Sequence, residues 1–413
     1  MKRVLIAGAL AAALLGGALL AFVAYRERES RNVRGSSTVE FVTTQPATPV
    51  KPREPGVVWP TFGYDPSRLR VASGIELRPP FRRVWTFPAR TLVEFPPVVA
   101  YGRLYFATNS GIVYAISTRT GKRAWRYRSG RCQAGSPGVR ARLIFVTFLN
   151  RPPCNTERKD IDGEVVALYA GSGAVRWRRR IGPSESSPLV VGGRVFVGDW
   201  RGRVYALSAN TGETRWTFQT GGKIKSALTL AGNRLYVGSY DHHVYALNAR
   251  TGKLLWKAGA QQRLGRRGTF YSTPAAAYGR VYVGSTDGKV YSFGASTGKL
   301  RWAQGTGGYV YSSPAVWRRR VYVGSYSKKL ICFDAATGDE RWSFEANGPI
   351  SGSPTIIDGV VYFATLKERT YALDARTGRL LWQFPDGQYT PVVADAKRLY
   401  LVGYARIYGM VPR

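Results

Sequence analysis

Eight tryptophans closing near-identical phrases, a spacing between them close to 40 residues and no helical period within the intervals predict an all-β chain. The architecture expected is an eight-bladed β-propeller of four-stranded antiparallel blades. The phrases are variants of one text, among them VYALSANTGETRW, VYALNARTGKLLW, VYSFGASTGKLRW, LICFDAATGDERW and TYALDARTGRLLW. The closing residues are Trp85, Trp125, Trp177, Trp216, Trp256, Trp302, Trp342 and Trp382, separated by 40, 52, 39, 40, 46, 40 and 40 residues.

Within each interval the order of signals repeats: a Ser/Thr-Pro step, a β-branched run, a Gly turn, a strand such as RVYVGS, a polar turn, a strand such as VYAL, a Thr-Gly turn and the Trp strand. Four strands of about five or six residues with their turns consume about 40 residues, which is one blade. Apolar residues on both sides of the inner strands fit a blade packed between two neighbours. Each closing Trp, able to bury roughly 150–250 Å², is expected to rivet blades together rather than stack on a ligand. Seven blades are complete between Trp85 and Trp382. The tail YTPVVADAKRLYLVGYARIYGMV supplies three further strands, and FRRVWTF at 81–87 is a closing strand with nothing before it. Joining the two removes the open edges, so the propeller is expected over 56–413 with strand 81–87 pairing into the last blade.

Ahead of the ring, Val4–Tyr25 is an uncharged run of 22 residues, long enough as a helix to cross a hydrocarbon core of roughly 30 Å. Phe22 at the −3 place disfavours cleavage after Ala24, and no Cys follows for lipid attachment. Residues 1–25 are therefore read as an uncleaved transmembrane anchor and 26–55, charged and Pro-rich, as a disordered linker. Lys2 and Arg3 face Arg26, Arg28 and Arg31, so flanking charge does not favour the N-terminus inside. The repeats and cysteines instead suggest a single-pass cell-membrane protein with its propeller on the extracytoplasmic side.

Of 413 residues, 44% are hydrophobic and 13% aromatic, which excludes a disordered chain. The formal net charge of +36 favours anionic partners such as lipid headgroups or phosphate-rich polymers, the plain alternative being a solvated basic surface. Arg clusters at 176–180, 266–268 and 317–320 are interleaved with aromatics, but no base-reading module accompanies them, which argues against nucleic acid.

The combination A-x-x-x-T-G-x-x-x-W after VYVGS-x-D-G-x-VYAL resembles the tryptophan-docking repeat of the pyrroloquinoline quinone (PQQ)-like propeller family, over about residues 56–411. That family includes quinoprotein dehydrogenases and a non-enzymatic, BamB-like branch, and the resemblance specifies fold far better than function. WPTFGYDPSRLRV at 59–71 looks like the segment that members carry before their first blade, with Trp59 packed on the ring.

In this strand order the inlet loops of the innermost strands share one face with the second-to-third-strand turns. Both long insertions, FLNRPPCNTERKDIDGE and KAGAQQRLGRRGTFY, fall on that face, which becomes the candidate binding face with Arg151, Arg158, Arg263, Arg266 and Arg267. Cys132 and Cys154 lie on it in one blade and are expected to form a disulfide, a bond suited to an oxidising compartment; Cys332 is expected in the core. Residues before the Ser/Thr-Pro steps, Glu94, Glu185, Lys225, Tyr271, Tyr311, Gln388 and Tyr389, are expected at the mouth of the central channel. No spacing fits a zinc site or a Ser-His-Asp or Cys-His pair, and the only histidines, His242 and His243, share a turn.

Three functions compete. The first is a monomeric, membrane-tethered, extracytoplasmic scaffold binding envelope or membrane proteins, without cofactor. The second is a PQQ-dependent oxidoreductase holding the quinone with calcium, for which the adjacent cysteines and the calcium ligands of that branch have no counterparts here. The third is a receptor for an anionic envelope polymer or lipid surface.

Overall fold

The computed structural model describes residues 8, 12–23, 31–43, 54–72, 74–154, 162–263, 266–390 and 392–413. Its eight blades are four-stranded antiparallel sheets at 98–128, 138–181, 189–219, 229–259, 275–305, 315–345, 355–384 and 392–412, numbered blades 1 to 8. The fourth strand of blade 8 is Phe81–Pro88, antiparallel to Arg406–Pro412 with Trp85 opposite Gly409. The ring therefore closes through the strand read from the sequence as its missing piece.

The repeated phrase encodes one joint. Trp125 Nε1 donates to the Ala170 carbonyl of the next blade at 2.9 Å, Trp177 to Ala209 at 2.9 Å, Trp256 to Ala295 at 3.1 Å and Trp302 to Ala335 at 3.0 Å. Tyr105, Tyr236 and Tyr282 donate their hydroxyls to three of the same carbonyls. The Thr-Gly glycine of the next blade lies under the ring: at Gly338, φ +78°, a Cβ would fall 2.8 Å from Trp302 Cδ2. Tryptophan, alanine carbonyl and glycine thus form one contact between blades, around which hydrophobic clusters span neighbouring blades, as Tyr236 and Val244 do with Val281 and Val283.

The expectation of a membrane-spanning anchor at 1–25 is corrected. Among the described residues no helix is long and apolar enough to cross a membrane. The described helical run 12–23 spans about 18 Å at roughly 1.5 Å per residue, and an apolar run sets composition and not helix length. Single-pass localisation loses its basis; the rest of that segment and residues 24–30 lie outside the described residues.

Part of the segment read as a linker is laid against the ring. Val33 bridges Ala303 on the outer strand of blade 5, Arg34 binds Asp339 at 2.8 Å, and Phe41 stacks on Tyr278 with centroids 5.5 Å apart. Glu40 pairs with Arg301 and accepts from Thr297 Oγ1 at 2.9 Å. Blade 5 makes room: Ala303 stands where other blades carry Arg178, Lys257 or Gln383, and Gly294 where they carry Ser208, Asn248 or Asp334. We call residues 31–43 the strap.

Residues 57–72 form a collar inside the ring. Val57–Trp59 pairs with blade 1, Val139 of blade 2 donates to Pro60 O, and Thr61 bonds Pro188 O of blade 3. Leu230, Ala276, Val316 and Ile356 of blades 4 to 7 then donate to the carbonyls of Pro66, Ser67, Leu69 and Arg70. Val71–Ala72 finishes as a parallel partner of Thr355–Ile357.

Candidate functional site

The collar crosses one end of the central channel, which holds a cavity of about 60 Å³ on the side of the insertion face. Phe62, Gly63 and Arg70 line its floor. Its wall is a belt of hydroxyls from the Ser/Thr-Pro steps, in which Ser187 accepts from Ser136 N at 2.9 Å, Thr273 from Ala227 N at 3.0 Å, Ser313 from Thr273 N at 2.9 Å and Ser353 from Ser313 N at 3.0 Å. That belt is why the step recurs: each side chain caps the backbone of the preceding blade.

Six of the seven residues expected at the mouth line this cavity: Glu94, Glu185, Lys225, Tyr271, Tyr311 and Tyr389. Gln388 does not; it is half-buried beside them. Lys225 Nζ lies 3.0 Å from Glu185 and 4.8 Å from the Trp200 ring, with Tyr240 and Tyr271 at 5.8 and 6.0 Å. Burial pushes the Glu185 carboxyl up, with Lys225 opposing. Glu94 is pushed up to about 7, by burial first and by Glu185 second, against Lys225. Burial, then Glu185 and Glu94, hold the Tyr271 hydroxyl well above its ordinary value. Tyr271, Tyr311 and Tyr326 form a run of edge contacts at 5.2 and 5.1 Å.

The sequence reading missed Trp200, Tyr240 and Tyr326. A signal existed, since all three follow the second strand at the same place in VGDW, VGSY and VGSY. It also missed the floor: Arg70 is 2% exposed, spans 4.5 Å to the Phe62 ring, and burial lowers it to about 9.

Around the mouth, Cys132 and Cys154 are joined as a disulfide across 22 residues, and Cys332 is a buried thiol pushed up to about 12 by burial. Arg131, buried beside them, pairs with Asp162 at 2.7 Å and Glu164 at 3.5 Å. Arg151 and Arg267 are exposed on this face. Arg263 and Arg266 are register partners in the two-stranded hairpin Gln262–Arg263 and Arg266–Arg267, and Arg158 lies outside the described residues. The basic clusters do not converge. Residues 318 and 319 turn on the opposite face, where Arg319 lies 5.5 Å from the strap's Phe41 ring, and 176–180 form the outer strand of blade 2.

The donor set does not fit PQQ with calcium. The quinone is a polyanion, whereas the cavity presents two carboxylates, its Lys225 is already paired to Glu185 and its Arg70 is buried against the Phe62 ring. Among the described residues no three His, Cys, Asp or Glu side chains come together to hold a metal ion.

A family model described as outer membrane protein assembly factor BamB matches residues 82–149, 161–309 and 303–405. A quinohemoprotein alcohol dehydrogenase of Comamonas testosteroni is 27% identical over 189 residues, 38% of this chain but only 25% of that protein. The BamB of Burkholderia pseudomallei is 31% identical over 127 residues, 30% of each chain. These matches thus span less than a third of the relatives' lengths. Among solved structures, BamB from Moraxella catarrhalis aligns with a TM-score of 0.64 at 18% identity, covering 80% of this chain and 100% of that one, a likeness of fold.

Proposed function

Because the chain belongs to the family of the outer membrane protein assembly factor BamB, we propose that it is a non-enzymatic propeller scaffold that binds protein partners through its insertion face. The observation that carries this reading is the asymmetry of the ring. One face consists of near-identical Thr-Gly turns and the strap, while the other gathers the disulfide-tied insertion, the Arg hairpin and the cavity mouth. Binding surfaces form where loops depart from the minimal repeat on a rigid frame. The partners proposed are envelope proteins engaged in assembly, and the disulfide suits an oxidising compartment.

The net charge of +36 favours a second reading, a receptor for an anionic polymer or lipid surface. One experiment separates them. Replacing Arg151, Arg158, Arg263, Arg266 and Arg267 by Ser should weaken capture of a cross-linked envelope partner, while Arg250, Lys299 and Arg376 on the Thr-Gly face serve as the matched control. Loss from both sets, with steep dependence on salt, would mean that binding follows total charge and would overturn the localised scaffold.

A further inference from the structure

The cavity already holds one ammonium. Lys225 is clasped by the Glu185 carboxylate at 3.0 Å and by the Trp200 face at 4.8 Å, the arrangement that desolvated cations favour. Glu94 repeats half of that arrangement and lacks the other half. Its carboxylate lines the same cavity beside Phe95, Tyr271, Tyr311 and Tyr389, and among the described residues no donor is hydrogen-bonded to it. Glu185 is matched by Lys225, and Arg70 on the floor is turned to the Phe62 ring and to the Arg68 and Pro314 carbonyls, so among the described residues ionised Glu94 has no cation paired to it. The collar crosses the far end, where Phe62, Gly63 and Arg70 line the cavity, which favours an inserted side chain over a threaded chain.

We propose that the channel mouth is a receptor for a single alkylammonium group, the lysine side chain of a protein partner whose surface is otherwise neutral or acidic. This rests on the scaffold reading and names what its partner inserts. Among the described residues too few ligands converge for a metal ion, while tyrosine rings and one carboxylate suit an organic cation. The carrier is set by the field of the whole molecule. A net charge of +36 repels a free polyamine and attracts an acidic carrier, so a lone lysine among acidic residues reaches the pocket where a polycation does not.

The site depends on pH because only ionised Glu94 takes a cation. Among the described residues, the charged or titratable groups lining the cavity with it are Glu185, Lys225, Tyr271, Tyr311, Tyr389 and Arg70. With Glu94 near 7, affinity should rise about tenfold between roughly pH 6 and pH 8.

The test is calorimetric titration of the whole protein with acetyl-Glu-Lys-Glu-amide, its norleucine counterpart and spermidine, near pH 6 and near pH 8. The lysine peptide should bind, tighten with pH and outcompete spermidine, and the norleucine peptide should not bind. Glu94→Gln should weaken the lysine peptide about tenfold or more and flatten the pH profile without lowering thermal stability. The proposal is overturned by equal binding of the norleucine peptide, by unchanged affinity in Glu94→Gln, or by no binding at all; tighter binding of spermidine would overturn the protein-borne source. Should Glu94→Gln fold poorly, the wild-type pH profile decides. Partner capture through the insertion-face arginines is read separately, so either reading can fall without the other.

Discussion

Gly298 has almost no latitude. Its φ is +69°, and a Cβ there would meet Trp256 Cδ2 at 2.7 Å, so Gly298→Ala should destabilise by about 1–3 kcal/mol from the backbone alone, read as a lowered denaturant midpoint. Ser313 is constrained by polarity instead: Ser313→Ala strands the buried Thr273 N–H and should cost about 1–3 kcal/mol. Glu94 sets a pH dependence. Its folded value of about 7 lies above the ordinary 4.5, so the folded state binds the proton more tightly. The stability that this contributes is complete below about 4.5 and is lost as pH rises through about 7. Glu94→Gln should therefore gain on the wild type as denaturation is measured at rising pH. The docking Trp and Thr-Gly residues were legible because they recur in nearly every blade. Trp200 and Arg70 were not, because their roles depend on which non-repeated neighbour converges on the channel.

Among the elements, the strap explains why composition misled. A charged, Pro-rich segment reads as disordered because it lacks a period, yet its partner lies in two small residues of blade 5. In blades 6 and 7, Asp334 and Asp374 accept from the Thr-Gly turn of their own strand, including Thr377 Oγ1 at 3.0 Å. In blade 5 that position is Gly294, and the Glu40 carboxylate occupies the vacated space, 1.9 Å from where a Cβ would sit. The strap supplies the missing turn cap from outside the blade. A chain lacking residues 1–43 should thus be stabilised by Gly294→Asp, whereas the same change in the full chain should expel the strap and destabilise. A thermal double-mutant cycle reads the coupling, expected to be about 0.5–3 kcal/mol. The collar was half legible: its sequence announced a lead-in packed on the ring, but nothing local told that it would circle it.

For the whole molecule, removing residues 1–50 should leave a soluble propeller of lowered stability, because the strap is lost while the collar and the closing strand remain. Removing 1–88 takes the collar and the closing strand, exposes two edges and should give aggregated material by size-exclusion chromatography. Peptide mapping without reduction should find Cys132 bridged to Cys154 and one protected thiol at Cys332. The eight-fold plan was legible because one phrase is spoken eight times. The anchor was not, because hydropathy counts apolar residues and does not measure helix length, and no described helix is long and apolar enough to cross a membrane. Closure by Phe81–Pro88 also sets a timetable. Trp85 leaves the ribosome roughly 320 residues before Gly409, its partner, and at about 5–20 residues per second the closing strand waits for tens of seconds. Through that interval it is an unpaired β-edge, and Arg82 and Arg83, exposed within it, act as gatekeepers against pairing with a stranger before the last blade arrives.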